Sequence, residues 1–93
     1  MIVSFACKET ESLFYDLRPK RLPADIIKVA RRKLMMIHAA HTIRDLEVPP
    51  GNRLEQLKGD RKGQYSIRIN DKWRICFRYK DGQASSVEIT DYH

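Results

Sequence analysis

No apolar run in these 93 residues is long enough to cross a bilayer. The longest stretch free of Asp, Glu, Lys and Arg runs from Leu34 to Ile43. It carries two histidines and reaches about half the length a span requires. Cysteine is almost absent. Cys7 and Cys76 lie far apart, and neither has a Cys or His neighbour at zinc-ligand spacing. A metal site is therefore not expected, and both read as small buried residues. Met1 to Cys7 lacks a basic head and meets Lys8 before the apolar region of an export signal could form. The cytoplasm is the expected location, and a disulfide is not expected there. Neither Gly59 nor Gly63 leads into the Gly-Lys-Ser/Thr of a phosphate loop. Internal repeats and low-complexity segments are missing as well.

What is present reads as one small domain over residues 1–93. Hydrophobic residues make up 42% and charged residues 32%, too apolar for a disordered chain and too polar for a membrane protein. Lys and Arg number 18 against 12 Asp and Glu, a net charge of +6. The excess is concentrated. Arg53, Lys58, Arg61, Lys62, Arg68, Lys72, Arg74, Arg78 and Lys80 face only Glu55, Asp60 and Asp71 within the same segment. A block of this kind points to a polyanion, most often nucleic acid, although a basic surface without a ligand carries the same pattern.

The periodicity predicts an α+β fold, with two N-terminal helices packed on a small antiparallel sheet. Ile2 to Phe5 reads as a short strand. A helix over about Glu9 to Leu17 places Leu13, Phe14 and Leu17 on one side and stops before Arg18-Pro19. Pro23 opens a stronger helix with an apolar stripe of Ile26, Ala30, Leu34 and Ile37. Met35 and Met36 flank that stripe as core filler, and Lys28, Arg31 and Arg32 lie largely opposite. Thr42 to Asp45 suits a capping box, and Pro49 to Asn52 a loop.

After Gly63 the period changes to two. Tyr65, Ile67 and Ile69 form one apolar set, Trp73, Ile75, Phe77 and Tyr79 a second, and Ser85, Val87 and Ile89 a third. Asn70-Asp71 and Asp81-Gly82 supply the turns of a three-strand meander. A one-residue slip would exchange the two faces, so the apolar register fixes Arg68, Arg74 and Arg78 on the face away from the helices. Arginine's planar fork can hold a phosphate through two hydrogen bonds.

Two further segments carry chemistry. Leu57-Lys58-Gly59-Asp60-Arg61 precedes the meander and would place Lys58 and Arg61 at the mouth of the basic face. Asp91-Tyr92-His93 follows the last strand with a carboxylate, a phenol and an imidazole in succession. The imidazole titrates near neutral pH. A solvated turn and a solvated tail are the plainer readings of these segments. His38 and His41, three apart, read as surface or packing histidines.

Together, Leu57 to Arg61, Tyr65-Ser66-Ile67-Arg68, Trp73-Arg74-Ile75 and Asp91-Tyr92-His93 resemble the HigB group of the RelE superfamily of bacterial toxins. The resemblance is strongest from Leu57 to His93. It implies a RelE-like fold and a ribosome-dependent endoribonuclease that cuts messenger RNA in the decoding site. It also implies ribosomal RNA contacts, a HigA-type helix-turn-helix antitoxin as partner, and neither metal nor cofactor. In one respect the chain departs from the family: where some relatives carry a histidine before Leu-Lys-Gly, it has Glu55-Gln56.

Metal-free RNA cleavage by 2′-OH attack needs a proton acceptor, a proton donor and positive charge at the phosphate. In this reading His93 moves the proton, and Asp91 orients it or accepts the 2′-OH proton, a task that Glu55 could also serve. Arg74 and Lys58 stabilise charge on phosphorus. Tyr92 stacks on a base or bonds a phosphate. Arg68, Arg61, Lys62 and Arg78 are further RNA contacts. Two rivals share the same residues. One is a RelE-fold toxin aimed at DNA gyrase; the other is a nucleic-acid-binding module without catalysis.

Overall fold

The computed structural model describes residues 1–91. Two helices, α1 (Lys8–Phe14) and α2 (Ile27–Ala39), pack on one face of a sheet of four strands. These are β1 (Glu55–Gln56), β2 (Tyr65–Arg68), β3 (Arg74–Lys80) and β4 (Gln83–Thr90), antiparallel and in sequence order. The expected meander is present, and β1 adds a fourth strand that the sequence pattern did not reveal. Two residues are too short to show a period.

The core follows the predicted stripes closely. Ile26, Ala30, Leu34 and Ile37 of the helical face are buried against Ile67, Ile75, Phe77, Val87 and Ile89. Each of these side chains larger than alanine contributes about 1.5–3 kcal/mol when withdrawn from water. Between β3 and β4 the chain reverses through Asp81 and Gly82. Both have positive φ (52° and 79°), the backbone of a two-residue hairpin turn that matches strand twist. At the other turn, the Asn70 side-chain oxygen accepts from the N–H groups of Lys72 (2.9 Å) and Trp73 (2.8 Å).

Several expectations need correction. α1 ends at Phe14, with Asp16 in the left-handed region (φ 66°), so Leu17 is exposed rather than stacked on the helix. Met35 lies on the solvent side of α2, exposed, while Met36 packs against the core. Cys7 is only half-buried; its sulfur lies 2.9 Å from the Thr10 hydroxyl, whereas Cys76 is fully buried. Residues 2–5 form no regular strand. Ile2 and Phe5 make isolated parallel bridges to Ala84 and Val87 along the free edge of β4.

Ser85 does not join the apolar set. The pairing shifts between Cys76↔Glu88 and Arg78↔Ser85, leaving Phe77 opposite two residues, Ser86 and Val87. Ser86 takes a left-handed backbone (φ 52°), and its N–H donates to the Ser4 hydroxyl at 2.9 Å. This bulge flips the alternation, so Ala84 faces the core and Ser85 pairs with Arg78.

Buried polar side chains pin the elements together. Thr10 on α1 accepts from the Ile89 N–H at 2.9 Å. Lys33 on α2 is buried and donates to Asn52 in the Pro-Gly-Asn turn. Asp45 accepts from the N–H groups of His41 (2.8 Å) and Thr42 (3.2 Å), so the predicted capping box is formed. Those hydrogen bonds hold its carboxyl below the usual carboxylate range.

Candidate functional site

Residues directly opposite in an antiparallel pair project to the same side of the sheet. The register therefore writes two rows across the face away from the helices. Glu55, Ser66, Cys76 and Glu88 form one, spanning β1 to β4. Arg68, Arg74 and Thr90 form the next. Two carboxylates thus end a row whose middle is small, and two arginines stand side by side.

Arg74 is not a free cation. Its side chain is only 12% exposed and meets three oxygens. Nε donates to the Ser66 hydroxyl at 2.8 Å, and one terminal nitrogen donates to the Arg53 carbonyl at 2.7 Å. The other terminal nitrogen lies 3.3 Å from the Glu55 carboxylate. Arg53 reaches this position by closing the Pro50–Asn52 turn in the left-handed region (φ 45°). Arg68, its strand partner, pairs instead with Asp71 in the turn. Separate carboxylates offset the repulsion between two guanidiniums set directly opposite.

The segment after β1 borders this same face. Arg61 lies 3.2 Å from Glu88 and 3.1 Å from the Gln64 side chain, which ties the segment to β4. Lys58 is exposed at the start of the Gly59–Arg61 turn. It lines a cleft of about 330 Å³ with Leu57, Asp60 and Arg61, and a second of about 540 Å³ with Gln56, Gly59, Lys62 and Gly63. Lys62 and Arg78 are exposed. The Arg78 guanidinium lies against Gly63, where a Cβ would stand 2.8 Å from its terminal nitrogen.

Beneath these charges, Cys76 has no exposed surface. Burial pushes its thiol up to about 11, partly opposed by Arg61 and Arg74. It is therefore an inert thiol. Asp91 follows Thr90, the strand partner of Arg74, and lies 3.8 Å from the Lys72 ammonium. Tyr92 and His93 lie outside the described residues.

Of the site residues expected from sequence, the structure gathers Arg61, Arg68, Arg74 and Arg78 on one face, with Lys58 and Lys62 along its border. It adds Ser66, Glu88 and the Arg53 carbonyl, which composition did not single out. Ser66 entered only as part of the Tyr65-Ser66-Ile67-Arg68 segment, and Glu88 was not singled out. His38 does packing work: its Nδ1 accepts from the Ile2 N–H at 3.1 Å, and its ring meets Phe14. Among the described residues, no three His, Cys, Asp or Glu side chains are grouped to hold a metal, and no helix is long and apolar enough to cross a membrane.

Solved structures share this architecture. The chain is similar to the YoeB–YefM toxin–antitoxin complex from Staphylococcus aureus, with a TM-score of 0.61, 19% identity, and coverage of 100% of this chain and 98% of the other. It is likewise similar to a YafQ mutant from E. coli, with a TM-score of 0.60, 13% identity, and coverage of 98% and 91%. The fold is thus α+β and RelE-like.

Sequence similarity narrows the class. Residues 3–93 match the family model described as the RelE-like toxin of type II toxin–antitoxin system HigB. The chain is 41% identical over 90 residues to Toxin HigB-1 of Vibrio cholerae serotype O1, covering 96% of this chain and 95% of the relative. It is 34% identical over 93 residues to Endoribonuclease HigB of Proteus vulgaris, covering the whole of both. The chain belongs to the HigB-like family of RelE-like toxins.

Proposed function

We propose that this toxin is an endoribonuclease that cuts messenger RNA in the decoding site of the ribosome without a metal. Residues 1–93 act as one domain in the cytoplasm, held in check by a HigA-type helix-turn-helix antitoxin. The full-length likeness to a relative named as an endoribonuclease supports the reaction class. The toxin–antitoxin family, and the antitoxin complex among the structural neighbours, support the partner. The observation that carries the reading is Arg74, a guanidinium withdrawn from water and aimed by three oxygens on a cationic strand face. Such a group meets developing charge with little reorganisation.

In the proposed reaction the 2′-oxygen forms a bond to phosphorus as the bond from phosphorus to the 5′-oxygen breaks. The products are a 2′,3′-cyclic phosphate and a 5′-hydroxyl. The 2′-OH proton passes to Asp91, Glu55 or His93, and His93 returns a proton to the departing 5′-oxygen. Arg74 and Lys58 balance the added charge on phosphorus. Arg68, Arg61, Lys62 and Arg78 hold flanking phosphates, and Tyr92 stacks on a base or bonds a phosphate. The ribosome sets the 2′-OH in line, so naked RNA is a poor substrate.

Mapping messenger 5′ ends in cells expressing the chain, with and without its antitoxin, tests the reading. Cuts within translated codons that vanish with antitoxin are the expected result. DNA-damage signalling with intact messenger would point to a gyrase-directed toxin. Growth arrest with intact messenger and no such signalling would point to binding without catalysis. Either overturns the proposal.

A further inference from the structure

The three oxygens around Arg74 are not equivalent. Ser66 is fully buried, and the Arg53 carbonyl belongs to the backbone, so neither can swing away. Both are neutral acceptors. They fix the plane of the guanidinium and leave its charge uncompensated. Glu55 differs on each count: it is anionic, sits on a two-residue edge strand, and has a side chain 55% exposed. A carboxylate and a phosphate present matching oxygens to a guanidinium. The edge of the fork that Glu55 occupies is therefore the edge a phosphate would take.

We infer that Glu55 is a placeholder for the substrate's phosphate, and that Ser66 is the positioning residue that keeps Arg74 aimed while the two anions exchange. This rests on Arg74 being the phosphate-binding group of the proposed function. When RNA arrives, Glu55 turns to solvent, and Arg74 keeps its bonds to Ser66 and the Arg53 carbonyl. It then offers its vacated edge to phosphate oxygen. Without RNA, the carboxylate keeps a mostly buried cation neutralised. It also sets a threshold: an anion must outcompete a tethered carboxylate to engage Arg74. Ser66 works through Arg74 and need not touch RNA.

The test is a binding cycle on the full chain, read by fluorescence anisotropy of a labelled single-stranded RNA decamer with 2′-O-methyl sugars, which cannot be cleaved. Glu55→Gln removes the competing charge and should tighten binding about fivefold, the scale of one exposed ion pair. The same substitution in an Arg74→Ala background should give less than half that gain, because only the general change in net charge is left. Ser66→Ala should weaken binding and messenger cleavage without lowering the melting temperature enough to unfold the chain, and Ser66→Thr, which keeps a hydroxyl, should restore both.

Equal gains from Glu55→Gln with and without Arg74 would overturn the placeholder role. So would unchanged binding accompanied by loss of cleavage, which would make Glu55 the proton acceptor. Failure of Ser66→Thr to rescue would overturn the positioning role. Messenger cleavage by the unaltered chain is scored separately, so absence of RNA cutting would count against the proposed function and leave the binding cycle readable.

Discussion

The Lys33 ammonium on α2 donates to the side-chain oxygen of Asn52, 19 residues further along, and both side chains are buried. The Asn52 amide nitrogen in turn donates to the carbonyls of Leu46 (3.2 Å) and Val48 (3.4 Å). This network fixes the turn that delivers Arg53, whose carbonyl holds Arg74. A helix residue thus reaches the candidate site through one asparagine.

Lys33→Met should leave the Asn52 oxygen buried without its donor. Urea unfolding should show a loss of about 1–3 kcal/mol. The loss should also depend on pH. Burial, with Arg32 and Arg68 nearby, lowers the Lys33 pKa from 10.5. The folded chain then holds this proton less tightly than the unfolded one. Stability accordingly rises as pH climbs from the folded pKa towards 10.5. The unaltered chain should gain on Lys33→Met as pH rises towards 10.5; a gap constant with pH would show that burial does not disfavour the charged form.

Gly63 has φ 93° and lies under the Arg78 guanidinium. Gly63→Ala should cost about 1–3 kcal/mol, from the left-handed backbone together with the crowded side chain. Part of this should return when Arg78→Ala opens the space. If the double variant recovers nothing, the backbone alone sets the cost.

The two cysteines should separate in a labelling experiment. Iodoacetamide added to the folded chain at about pH 8 should modify half-buried Cys7 and spare Cys76, whose buried thiol is raised to about 11. Mass spectrometry of peptides should show Cys76 labelled only in denaturant. Equal labelling of both in the folded chain would contradict the burial of β3.

Lys58→Ala gives a cleaner test of catalysis than Arg74→Ala, because Lys58 is exposed and Arg74 is packed. Its stability should stay within about 0.5 kcal/mol of the unaltered chain. Messenger cleavage should fall about 10²–10³-fold, as when one transition-state donor is lost. His93→Ala should lower cleavage on the same scale with binding of the uncleavable decamer intact. Cleavage at the normal rate in either variant would remove that residue from the mechanism.

The helical stripe Ile26, Ala30, Leu34 and Ile37 and the strand pattern of Ile67, Ile75 and Phe77 were legible because core burial repeats with the period of the element. Asp81-Gly82 was legible because few residue pairs accept two positive φ angles. Ser85 was misplaced because the bulge at Ser86 takes its anchor from Ser4, more than eighty residues earlier. Lys33 was not singled out at all, because its partner lies in a proline-rich turn that no period describes.

The sequence by itself determined the α+β order, the inward and outward faces of β2 and β3, and a cationic outer face, since each follows from local periodicity and charge count. Tertiary structure alone decided which cations are engaged and by what. Arg74 meets Ser66, Glu55 and the Arg53 carbonyl, and Arg61 meets Glu88, through strand register and turn geometry. The reason is physical: a period reports the direction in which a side chain leaves its own backbone, whereas its partner is set by the path of a different stretch of chain.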